Sequence, residues 1–145
     1  MSDAFHLDRF VAAQVPVYAE VVAELRTGRK TSHWMWFVFP QLVGLGRSAM
    51  AQRYAVSSLD EARAYFQHPH LGARLLECAA LVNAVEQRTA EQIFGPIDAQ
   101  KLQSCLTLFE LASDGNAAIV AALDKYYGSR RDATTLRLLG MNHSN

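Results

Sequence analysis

A sheet needs at least two strands, and this 145-residue chain offers only one strand-like run, the six apolar residues from Trp34 to Phe39. A lone strand has no partner for its backbone N–H and C=O groups, so the run reads as about one and a half turns of buried helix. Elsewhere the apolar residues recur at helical spacing. Leu7, Phe10 and Val11 start the pattern, and Tyr18, Val21, Val22 and Leu25 resume it after a break at Pro16. Gly28 stops it as a glycine beyond a helix C-terminus.

From Ser58 onward the helix signals are frequent. Ser58-Leu59-Asp60-Glu61 has the form of a capping box, for a helix ending near His68. Pro69 suits the opening of the next, with Leu71, Leu75, Cys78, Ala79 and Val82 on one face. Thr89 opens a short helix that Gly95 and Pro96 close, and Leu102, Cys105, Leu106, Phe109 and Ala112 form a stripe ending at Asp114-Gly115. Another helix runs from Asn116 to Gly128, and a last turn or two carries Leu136, Leu138 and Leu139. The 22 Ala and 17 Leu residues are strong helix formers. No repeat, linker or charge block divides the chain. The expected fold is all-α: one compact domain over residues 1–145, a bundle-like array of seven to nine short helices.

Half the residues are hydrophobic and 19% are charged, which excludes disordered and collagen-like classes. Lys and Arg (14) balance Asp and Glu (14), so nothing recruits a polyanion from a distance, and general nucleic-acid or anionic-membrane binding is not expected. The balance is uneven along the chain. Between Glu24 and Asp60 there is no acidic residue, while Arg26, Arg29, Lys30, Arg47 and Arg53 give that segment a formal charge of +5. No run approaches the ~20 apolar residues of a membrane span, and Met1 to Phe10 lack the pattern of a signal peptide, so the reading is a cytoplasmic protein. Cys78 and Cys105 lie among Leu and Ala as buried thiols, and His68-Pro69-His70 lacks the further ligands of a metal site. No metal and no cofactor is expected.

The most distinctive segment runs from Gly28 to Gln41 and holds both tryptophans. Two cations, two hydroxyls and an imidazole precede an aromatic block, the mixture of apolar walls and a few orienting polar groups that a pocket uses. The same aromatics could instead form core, and the cations could sit beyond a helix C-terminus. Gly44-Leu45-Gly46-Arg47-Ser48 either places helix-start N–H groups near Arg47 for an anion or is a plain turn with Ser48 as a cap. Lys101, Ser104 and Thr107 share one flank of a helix, where they either line a pocket or bond back to helix carbonyls. No nucleophile signature is present. Asp98, Glu110, Asp114, Asp124 and Asp132 fall at caps, turns and exposed faces, and no acid/base pair stands out.

The runs GRKTSHWMWFVFPQLVGLGRS, YAVSSLDEARAYFQHPHLGARL, IFGPIDAQKLQSCLTLF and DATTLRLL closely resemble the bacterial and fungal family catalogued as domain of unknown function 1810. The likeness covers about residues 7–139 and implies a small multihelical domain without bringing an activity. The calpastatin label carried by some members does not fit a compact Leu/Ala-rich domain, since inhibitors of that type are long and disordered. His70 and Cys105 depart from the family's pattern.

The leading expectation is a pocket built by the Arg29–Arg47 segment that binds a small anionic, nucleotide-like ligand. Its candidate residues are Arg29, Lys30, Ser32, His33, Trp36, Gln41, Arg47, Lys101, Ser104 and Thr107. Lys30 and Arg47 would hold the anion, Trp36 would stack, and His33 is the candidate for proton transfer near neutral pH. Whether a reaction follows stays open. The rivals are a non-enzymatic interaction module using the Trp34–Phe39 segment as its contact surface, and stacking of single-stranded nucleic acid on the aromatics.

Overall fold

The computed structural model describes residues 3–141. Ten helices lie within them: α1 (Asp8–Gln14), α2 (Tyr18–Thr27), α3 (Met35–Val38), α4 (Ala49–Arg53), α5 (Leu59–Gln67), α6 (Leu71–Ala84), α7 (Ala90–Phe94), α8 (Pro96–Ala112), α9 (Ala117–Tyr127) and α10 (Ala133–Leu138). The all-helical architecture is as expected, with slightly more helices because α3 and α4 are separate single turns. No described helix is long and apolar enough to cross a membrane.

The longest helix, α8, is the axis on which the others pack: α5, α7, α9 and α10 all lie against it. The reason is in its sequence. Leu102, Leu106 and Phe109 are fully buried, and so are Cys105 and Leu108 on neighbouring faces, so apolar residues point almost all round. Each such large side chain contributes about 1.5–3 kcal/mol by leaving water. Helix α6 joins α2, α5 and α9 in a second layer. It meets α5 at Gly72, where an added Cβ would lie 2.0 Å from the Phe66 carbonyl oxygen. The aromatic run supplies much of the remaining core. Trp34, Met35, Phe37, Val38 and Phe39 are buried, and Phe39 meets Phe94 edge-on at 6.0 Å.

Several local signals turn out differently in detail. Ser58 Oγ accepts the Glu61 amide as expected, but the Glu61 carboxylate reaches the Ser57 amide and hydroxyl and Arg9 Nη2. Half the capping box is thereby traded for a tether to α1. Pro96 does not close α7 but opens α8, where its missing N–H is no loss. His68 follows α5, yet its Nδ1 accepts the amides of His70 and Leu71 at the start of α6. His68 thereby caps the start of the next helix.

On either side of α4 the chain leaves helical geometry. A single parallel bridge joins Leu42 to Val56, with Val43 N donating to Val56 O and Val56 N to Gln41 O, each at 2.8 Å. This clasp ties the start of the Gln41–Gly46 loop to the segment before α5, and the loop faces the N-terminal half of α8 across a cleft.

Candidate functional site

Lys101 and Ser104 stand one turn apart on α8, on the flank facing that loop. Around them is a cleft of about 210 Å³, lined by Gln41, Leu45 and Gly46 from the loop, Ile97, Gln100, Lys101 and Ser104 from α8, and Asp132 and Thr134 from the start of α10. A recess of about 10 Å³ continues from it toward Trp36, Phe39 and Tyr54, sharing Gln41, Gly46 and Lys101. The recess has room for about one water.

The cation at the cleft belongs to a small ionic cluster. Lys30 Nζ lies 2.9 Å from Asp98 Oδ2, and Lys101 Nζ lies 3.7 Å from Asp98 Oδ1. Lys30 is withdrawn from solvent, with its side chain 7% exposed. It also donates to Ser32 O and sits 5.0 Å from the Trp34 ring centroid. Lys101 sits 5.2 Å from the Trp36 ring centroid. Two ammonium groups share one carboxylate, and the surplus charge is at Lys101, which lines the cleft while Lys30 stands behind it. Opposite, Asp132 Oδ2 accepts from the Ser104 hydroxyl at 3.1 Å, from the Thr135 amide at 3.1 Å and from the Thr135 hydroxyl at 2.5 Å.

The candidate residues from the sequence divide three ways. Gln41, Lys101 and Ser104 line the cleft and Trp36 lines its recess, with Lys30 one carboxylate behind. Ser32 and Thr107 are structural. The Ser32 amide and hydroxyl donate to Glu24, while Thr107 Oγ1 donates to Gln103 O and accepts the Asp132 amide. Arg29, His33 and Arg47 are exposed and do not line this cleft. Arg29 borders a separate open depression of about 390 Å³ with Glu24, Thr31 and Arg88. Lys30 and Arg47, the expected anion holders, therefore do not line this cleft, where Lys101 is the cation in the lining, and His33 stands apart from it. Ser48 caps α4 by accepting the Ala51 amide, the plain-turn alternative for that loop.

Glu24 explains why the Arg29–Ser32 loop folds over α2. Its carboxylate accepts the Thr31 and Ser32 amides, the Ser32 hydroxyl and the Trp34 indole N–H, all within 3.0 Å. Burial opposes its ionisation, but these four donors outweigh burial and hold its pKa down at about 2. The interaction-surface alternative loses its footing here, because the residues from Trp34 to Phe39 are core, apart from a half-buried Trp36.

Asp98, Gln100, Asp132 and Thr134 were not singled out as site residues from the sequence. Asp98 carried a local signal, three residues before Lys101. Asp132, before Ala-Thr-Thr, reads as an N-cap, which it is; its place at the cleft depends on α10 packing against α8. No group of three or more His, Cys, Asp and Glu side chains among the described residues could hold a metal ion. His143 lies outside the described residues.

Residues 4–139 match the model of a family described as a protein of unknown function, DUF1810. A crystal structure of the conserved hypothetical protein Rv1873 from Mycobacterium tuberculosis aligns with a TM-score of 0.94 at 58% identity, covering 97% of this chain and 100% of that one. No curated protein matches.

Proposed function

The chain belongs to the DUF1810 family of proteins of unknown function, and we propose that this member binds a small anionic ligand in the cleft between the Gln41–Gly46 loop, α8 and α10. The carrying observation is the Lys30–Asp98–Lys101 cluster, whose two ammonium groups and one carboxylate leave one net positive charge on the side of the cleft that Lys101 lines. A compact ammonium holds a carboxylate or phosphate as a point charge. The Gln41 and Gln100 side-chain amides supply orienting N–H donors from the same lining. A volume of about 210 Å³ lies below the ~300–1,000 Å³ of pockets for drug-sized ligands. The ligand is accordingly smaller than the nucleotide-like molecule expected from the aromatic run, and the Trp36 ring is occupied by Lys101 rather than free for stacking.

The test is calorimetric titration with acetate, isocaproate and inorganic phosphate, on the wild type and on Lys101→Gln. Lys101 is partly exposed, and Asp98 retains Lys30 as its partner, so the variant folds. At least one anion should bind, with affinity falling tenfold or more in the variant, a change of about 1.4 kcal/mol. At ten times its dissociation constant that anion should add about 1.4 kcal/mol to wild-type stability. No binding by any of the three, or binding indifferent to Lys101→Gln, overturns the reading.

A further inference from the structure

The cleft has a negative pole as well as a positive one, and its mouth is apolar. Asp132 and Lys101 both flank Ser104: Asp132 through the 3.1 Å hydrogen bond to its hydroxyl, Lys101 through one turn of α8. The three donors to Asp132 all converge on Oδ2. No hydrogen bond reaches Oδ1 from the described residues, although Asp132 lines the cleft. A purely anionic ligand would meet that carboxylate as a like charge, whereas a ligand with an ammonium group beside its anion would pair with both walls.

The rim supplies a third feature. Ile97 and Leu45 line the cleft, and Ile97 is 72% exposed. Thr134 lines it from α10. Single exposed apolar residues need no explanation; here Ile97, the most exposed large apolar side chain among the described residues, lines a polar cleft together with Leu45.

We propose that the cleft recognises a zwitterion with an apolar side chain, namely a free aliphatic α-amino acid. Lys101 takes the carboxylate, Asp132 Oδ1 takes the ammonium, and Ile97 and Leu45 cover the side chain. Both poles line the same cleft, and Asp132 reaches Ser104, which stands one turn along α8 from Lys101. This inference rests on the anion-binding reading and specifies its ligand.

Calorimetric titration compares L-leucine with isocaproate, the same skeleton without the ammonium, with isoamylamine, which lacks the carboxylate, and with glycine, which lacks the side chain. On the wild type, leucine should bind at least tenfold tighter than each. Asp132→Asn keeps a side-chain oxygen at the N-cap and should remove leucine's advantage over isocaproate without weakening isocaproate. Equal binding of leucine and isocaproate on the wild type overturns the zwitterion proposal while a Lys101-dependent anion site stands. Glycine binding as tightly as leucine overturns the apolar part. If neither leucine nor any of the anions binds, both readings fall together.

Discussion

Replacing Glu24 by Gln separates a charged clasp from an ordinary surface glutamate. Glu24 holds four donors and has its pKa lowered from 4.5 to about 2. At about 1.4 kcal/mol per pKa unit, the ionised clasp is worth about 3 kcal/mol. The folded pKa is the lower one, so this stability is fully present above about pH 4.5 and is lost as pH falls toward 2. Gln imitates the neutral acid in shape but not in charge. Glu24→Gln should therefore be less stable than the wild type by about 3 kcal/mol at neutral pH, and the gap should close toward pH 2. Urea unfolding followed by tryptophan fluorescence at a series of pH values measures both curves. Every other titrating group cancels in the difference. A gap that stays constant with pH, or one below about 1 kcal/mol at neutrality, would refute the assignment of the clasp to the carboxylate.

Three further outcomes test the scaffold. Gly72→Ala places a Cβ against the fixed Phe66 carbonyl oxygen, and should cost about 3 kcal/mol and lower Tm by about 10 °C; an unchanged melt would show that the α5–α6 contact can yield. Asp132→Ala removes the α10 cap and the Ser104 and Thr135 bonds, so urea unfolding should show a loss of about 1–2 kcal/mol that Asp132→Asn largely avoids. Burial pushes the Cys78 thiol up to about 12 and raises that of Cys105 well above its ordinary value. Both should resist a maleimide in the native protein and react on unfolding, and rapid native labelling of either would contradict their burial.

The helices were legible because their signals are local. Gly28 and Gly128 are left-handed at helix ends, Thr89 caps α7, Asn116 caps α9, and the apolar stripes of α6 and α8 face the core. Lys101 and Ser104 could be picked as a pair because helical spacing alone puts them on one flank. The rest depended on chain segments that meet only after folding. Glu24 reads as a solvated helix residue until the Thr31–Trp34 segment folds back onto it. Lys30 meets Asp98 only because the Arg29–Ser32 loop lies against the junction of α7 and α8, where Lys30 N also donates to Ile93 O. A run of cations in sequence did not become a cluster of cations in space. Arg29, Lys30 and Arg47 separated, and a single lysine on another element carries the charge at the cleft.

That conclusion is tested most directly by amide chemical-shift mapping during titration with isocaproate. The account predicts saturable shifts gathered at Gln41, Leu45, Gly46, Gln100, Lys101, Ser104 and Thr134, and absent from Lys101→Gln at the same concentrations. Shifts centred instead on Arg29 and Arg88, or none at all at millimolar isocaproate, would contradict it.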